Sequence, residues 1–293
     1  NPRAPDEVVY RIMREPEQRI TALLNDEVQI AQFVPPHMRQ RVEKSNNLRI
    51  APVDSVEIMF LAMQPKPPFD KKEVRQAVCH AINRDQIIST LLEGFASRLD
   101  GPLGPGQYGY DPNLKPKINY DSEKSKKLLA QAGFPNGVDV ELQTRVGRYT
   151  LDKQLTEAMV PMLNAAGFRA RLLTPEWATL WANVQKGTIP FYYMGRGSVQ
   201  DPSAALHQYF HTRETPRIGY SNPKLDELLD KEQQEFDPKK RRQYLAQAMS
   251  ILTDDAPACF MWRHKLLWGL SSRVEYKPLP DARIYAIEMA VKR

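Results

Sequence analysis

The 293 residues carry a net charge of +6, with 42% hydrophobic and 26% charged residues and only 14 glycines. That composition excludes a disordered chain, no apolar run reaches the ~20 residues of a membrane-spanning helix, and two cysteines rule out a disulfide framework or a multi-cysteine zinc module. What remains is a folded chain of one large or two ordinary domains, an enzyme or a binding protein.

Residues 1–6 lack the basic stretch and apolar core of a signal peptide and read like the interior of a longer polypeptide. Val8–Ile12 alternates as a strand. Pro16 opens a helix over 17–24, since proline suits a first turn whose N–H is unused. Residues 28–31 form a short strand, Pro35-Pro36 starts a helix to Glu43, and 48–50 and 56–63 read as two strands. Pro65-Lys66-Pro67-Pro68 predicts a stiff extended linker.

Val74, Ala77, Val78, Ala81 and Ile82 then recur at helical spacing, with Asp70 as cap. A second helix runs over 86–92 to Gly94. The Gly101–Gly106 loop has no Gly-Lys-Ser/Thr and is no phosphate cradle. Helices over 122–132 and 151–166 end at Gly133 and Gly167. Strands follow at 138–142, 168–173 and 191–194, with a helix over 177–185 between the last two. Helices over 224–234 and 238–254 precede strand-like 258–262 and 266–270. This alternation predicts α/β layering. The Lys239–Arg242 cluster at a helix start is a solvated face, so nucleic acid is not an expected partner.

His207 and His211 lie one helical turn apart, but Gln208 stands where a zinc hydrolase needs Glu, and no third ligand is evident. They read as polar helix positions, with no metal or other cofactor expected. Ser198 follows Gly197, but Gln200 replaces the second glycine of a nucleophile elbow. Cys79 and Cys259 read as buried thiols, with a disulfide as the alternative.

The segment Tyr193-Met194-Gly195-Arg196-Gly197-Ser198 leading to Asp201-Pro202 is different. A strand ends in a glycine-flanked arginine, and exposed backbone N–H groups beside a guanidinium suit a ligand's carboxylate or phosphate. Trp177 and Trp181, one turn apart, offer an aromatic wall. The alternative is an Arg196–Asp201 loop salt bridge beside core tryptophans.

Phe69–Ala77 with Ala81-Ile82-Asn83-Arg84, the block Tyr120–Leu129 with Ala132–Gly137, and Gly219–Asp226 together resemble, in order, the extracytoplasmic solute-binding proteins of family 5. These are the dipeptide-, oligopeptide- and nickel-binding components of ABC importers. The resemblance implies a periplasmic-binding-protein-like (type II) two-lobed α/β fold, represented by its C-terminal part. Residues 1–63 would be part of lobe I, 64–264 the whole of lobe II, and 265–293 the return to lobe I. It implies a periplasmic receptor with a short-peptide or small-molecule ligand and membrane permease partners. Ser198 stands where peptide-binding members carry the Asp that holds the ligand's amine, and Gly195 where they carry Trp. A peptide-like or other small polar solute, an anionic one included, is expected, with a hydrolase on a similar scaffold as the alternative. With lobe I partial, Val56–Met63 is expected to lie at an apolar edge, exposed or covered by a neighbouring molecule.

Overall fold

The computed structural model describes residues 4–196, 201–213 and 217–292. Helix α1 (Pro16–Leu24) starts on its proline and buries Ile20, Ala22 and Leu23. Strand β1 (Ile30–Ala31), a 3-10 turn at Pro36–Met38, α2 (Arg39–Glu43) and the long β2 (Leu48–Met63) follow. Helices α3 (Lys72–Ala81) and α4 (Arg84–Thr90) lead to β3 (Ala96–Arg98). Then come α5 (Ser122–Gln131), β4 (Val138–Gln143), α6 (Asp152–Ala165), β5 (Phe168–Leu173), α7 (Trp177–Gln185) and β6 (Phe191–Arg196). Helices α8 (Pro202–Phe210), α9 (Pro223–Gln234) and α10 (Pro238–Asp255) each begin on proline behind a capping side chain, Asp201, Asn222 or Asp237. The chain returns through β7 (Ala258–Ser271), and β8 (Val274–Glu275) pairs with β9 (Ala290–Val291).

One mixed sheet runs β1-β7-β2-β6-β4-β5, with β3 also on β7. Strands β4, β5 and β6 are parallel, so their carboxyl ends share one edge. Strand β2 runs antiparallel to both β6 and β7. Alternate residues of β2 and β6 feed two cores. Met59, Leu61, Met63, Phe191 and Tyr193 pack beneath α3–α6, while Ile58, Phe60, Ala62, Tyr192 and Met194 pack beneath α7–α10. Burial on both faces is why these strands read as continuous apolar runs. Two smaller cores flank the other halves of β2 and β7, one with Ile20, Leu23 and Val42, the other with Trp268, Leu270 and Tyr276. The β2–β7 register shifts between Asp54 and Ile58, where the two pairs of cores meet.

Several expectations are corrected. Val56–Met63 is no exposed edge: Ile58–Met63 are at most 2% exposed, because β6 and β7 flank β2. Residues 48–63 and 258–271 each form one strand, not two. Val8–Ile12 is coil, with Val9, Tyr10 and Ile12 exposed. The proline-rich 64–70 stretch is a tight turn held by Phe69 N–H and Asp70 N–H on the Lys66 carbonyl, not an extended linker. That turn occupies Asp70, and α3 begins behind Lys71 with no side-chain cap. Cys79 and Cys259 are free thiols in mutual contact, buried between α3 and β7, and burial pushes the Cys79 thiol up.

Candidate binding site at the strand carboxyl edge

The shared carboxyl edge of β4, β5 and β6 is where open α/β sheets place ligands. Arg196 ends β6 there, opposite Ile58 of β2. Its side chain falls on the α7–α10 face and is 7% exposed. The guanidinium lies 5.8 Å from the Tyr209 ring of α8. Among the described residues it has no carboxylate partner, and Nε makes no hydrogen bond although buried. Burial pulls its pKa down to about 10, so it stays cationic near neutrality.

An aromatic–guanidinium row continues from Tyr209. Arg217 sits 5.5 Å from Tyr209 and 4.8 Å from Trp181. Trp181 stacks on Trp177 at 5.2 Å and 23°, as their spacing on α7 allows. Arg145 caps the row 4.0 Å from the Trp177 ring. Trp177 and Trp181 are half-buried and each carries a guanidinium, so they support arginines rather than forming a bare wall. Arg145 makes no ion pair among the described residues, with the Asp152 carboxylate acting on it only at a distance, and burial lowers its pKa.

The loop that presents Arg145 is held by one buried carboxylate. Asp152, at the start of α6, accepts from the backbone N–H of Gly147, Arg148 and Tyr149 at 3.0, 2.8 and 3.0 Å. Tyr149 then reaches β6 and donates its hydroxyl to the Gly195 carbonyl at 3.1 Å. A side chain at Gly195 would put Cβ 2.7 Å from Met59 Sδ and 2.8 Å from Tyr149 Cε1. The expectation that Gly195 admits a ligand is therefore corrected: Tyr149, Met59 and Glu57 fill that space. Glu57 stands in the β2 bulge, 3.5 Å from Arg148, and burial raises its carboxyl pKa against the pull of that arginine.

Of the other expected site residues, Tyr193 faces the opposite core beneath Tyr149 and is not beside Arg196. Asp201 does not pair with Arg196. Its carboxylate caps α8 through the Ser203 N–H and binds Arg241 at 2.9 Å, which corrects the loop salt bridge. Burial pushes the Asp201 carboxyl up, but the Ser203 and Arg241 contacts hold it below the usual range. Gly197 and Ser198 lie outside the described residues. Sequence reasoning missed Arg145, Tyr149, Glu57, Arg217 and Tyr209. The Asp152 turn after β4 was the one local signal for the first two.

The sequence and the fold also match known proteins. The family described as bacterial extracellular solute-binding proteins, family 5 (Middle), matches residues 1–217. The glutathione-binding protein GsiB of Pectobacterium atrosepticum is 27% identical over 289 residues, covering 94% of this chain and 56% of that protein. GsiB of Escherichia coli K12 is 25% identical over 264 residues, covering 86% of this chain and 51% of that protein. The periplasmic binding protein DppA of Helicobacter pylori, solved with the peptide STSA, superposes with a TM-score of 0.88 at 23% identity, covering 97% of this chain and 56% of that one. A Pseudoalteromonas dipeptide-binding protein, solved with Met-Leu, gives a TM-score of 0.87 at 24% identity, covering 97% of this chain and 58% of that one. The chain thus has the type II periplasmic-binding-protein fold and spans about half the length of the curated relatives it matches. It belongs to the bacterial extracellular solute-binding proteins of family 5.

Proposed function

We propose that this chain is the ligand-gripping part of an extracytoplasmic ABC-importer receptor, and that its solute is peptide-like with at least one carboxylate. The observation that carries the proposal is the pair of partly or fully buried guanidiniums, Arg145 and Arg196, without carboxylate partners at the two ends of the aromatic row. A buried cation is costly unless something neutralises it, and an incoming carboxylate does so with charge-assisted hydrogen bonds. The curated relatives named for glutathione, an anionic tripeptide, support that ligand class. The named relatives are binding proteins, which favours a receptor over a hydrolase.

In this proposal the two pairs of cores are the two lobes. The expected boundary after residue 63 moves back to the β2 bulge in this proposal, because Ile58–Met63 pack into the larger lobe, while the return near residue 265 stands opposite Asp54. A rotation there closes the lobes on the solute for delivery to a membrane permease. No helix among the described residues is long and apolar enough to cross a membrane, which fits delivery by a carrier outside the bilayer.

Calorimetric titration of the receptor at its full natural length tests the proposal, with glutathione and with a dipeptide amide lacking a carboxylate. Binding of the acid, with at least about tenfold loss in Arg145→Ala, is expected. Equal binding of acid and amide, or an unaffected Arg145→Ala, would overturn it.

A further inference from the structure

Towards the far end of α8 the fold assembles a group that the sequence shows only in part. His207 and His211 are one turn apart, and their rings stack at 5.1 Å and 10°. They are 8% and 4% exposed. Helix α9 lays Asp230 against them, so that one donor atom from each of the three lies within 4.8 Å of the other two. His nitrogens and carboxylate oxygens sit about 2.0–2.2 Å from a metal, so donors sharing one cation are at most about 4.4 Å apart, and a small side-chain rotation draws this set onto a single ion.

The hydrogen bond on His207 suits ligation, and the one on His211 must change. His207 Nε2 lies 3.1 Å from the Leu229 carbonyl, so it donates its proton there and leaves Nδ1 with a free lone pair. His211 Nε2 lies 3.3 Å from Asp230 Oδ1, yet it is a buried ring nitrogen without a hydrogen-bond partner. His211 Nδ1 accepts the Arg213 N–H at 3.2 Å and stands 3.9 Å from Asp226 Oδ1. When Nε2 gives its lone pair to a metal, Nδ1 carries the proton. The Arg213 contact is then lost, and Asp226 Oδ1, which already accepts the Thr212 N–H, is the nearest carboxylate towards which that proton can turn. The remaining competitor is the exposed Arg213 guanidinium, 3.4 Å from Asp230 Oδ2, which leaves Oδ1 to the cation.

We propose that His207, His211 and Asp230 bind a divalent cation of the borderline class, Zn2+, Co2+ or Ni2+, which ties α8 to α9. Two imidazoles and one carboxylate are the donors that class prefers over Ca2+ or Mg2+. The half-exposed Asp230 side chain is the entry path. The role is structural: Gln208 stands where a hydrolytic zinc site needs its general base. The cation fixes the helix that Asp201 caps, α8, which follows Arg196 in the chain.

The test uses chelator-treated protein without a histidine tag, titrated with CoCl2 and ZnCl2 alone. One equivalent of Co2+ with visible d–d absorption is expected, together with a higher melting temperature in Zn2+. Asp230→Asn and His207→Gln should each weaken uptake by at least about tenfold. Asp230 is a partly exposed position, so Asp230→Asn keeps the fold, which circular dichroism checks, and it decides the matter if His207→Gln does not fold. No stoichiometric uptake by the wild type, or undiminished uptake by a folded Asp230→Asn, would overturn the proposal.

Discussion

Replacing Arg196 by methionine keeps the buried stem and removes the charge. Burial takes the guanidinium pKa down from its ordinary value to about 10. At 1.36 kcal/mol per pKa unit, holding the cation there costs the ligand-free fold about 3 kcal/mol. The sign follows from linkage: a base whose pKa is depressed on folding opposes the fold below that pKa, and the opposition lifts as pH rises through about 10 towards the ordinary arginine value. Arg196→Met should therefore raise ligand-free stability at pH 7, by up to about 3 kcal/mol less any loss of contact with Tyr209. The same variant should bind the carboxylate solute at least about tenfold more weakly, because a charge-assisted hydrogen bond contributes ~1.5–3 kcal/mol. Denaturant melts without ligand and calorimetry with it measure the two effects on one preparation. A variant that is less stable than the wild type and binds with unchanged affinity would refute the reasoning, since Arg196 would then be a structural cation.

Gly195→Ala should displace Tyr149 or Met59, lowering both melting temperature and affinity, because the new Cβ meets them at 2.8 and 2.7 Å. A neutral outcome by thermal melt would mean the Tyr149–Gly195 contact is loose. Asp152→Ala should cost ~2–3 kcal/mol in a denaturant melt and weaken binding too, as the Gly147, Arg148 and Tyr149 amides lose their acceptor. Glu57→Gln should stabilise the protein, and more so at pH 7 than at pH 4. A carboxyl whose pKa is raised by folding opposes the fold increasingly as pH climbs from the ordinary 4.5 through the raised value. Melting curves of both proteins across that range check the sign.

Much of the fold was legible because its signals are local. Proline behind Asn222 or Asp237 marks α9 and α10, and Gly133 and Gly167 mark the ends of α5 and α6. Strands β2 and β7 read as broken because charged residues, Asp54 on one and Arg263 to Lys265 on the other, interrupt apolar runs. Those interruptions lie where the strands pass between the two pairs of cores, so period alone suggests a turn. Ala96-Ser97-Arg98 carries no strand pattern, and only pairing with β7 makes it β3. Arg196 and the tryptophan pair were legible because a glycine-flanked arginine ends an apolar strand and an i,i+4 aromatic pair shares a helix face. Arg145, Glu57 and Tyr209 reach the site through separate strands and helices, and Asp230 reaches the histidines across α8 and α9. Nothing in their neighbouring residues announces those meetings.

The central claim is that a solute carboxylate neutralises the cations at the ends of the aromatic row. A crystal structure of the full-length receptor with bound solute tests it most directly. The account predicts a ligand carboxylate oxygen within ~3.2 Å of a guanidinium nitrogen of Arg196 or Arg145. A solute held in the cleft with both guanidiniums still lacking an anion would contradict it.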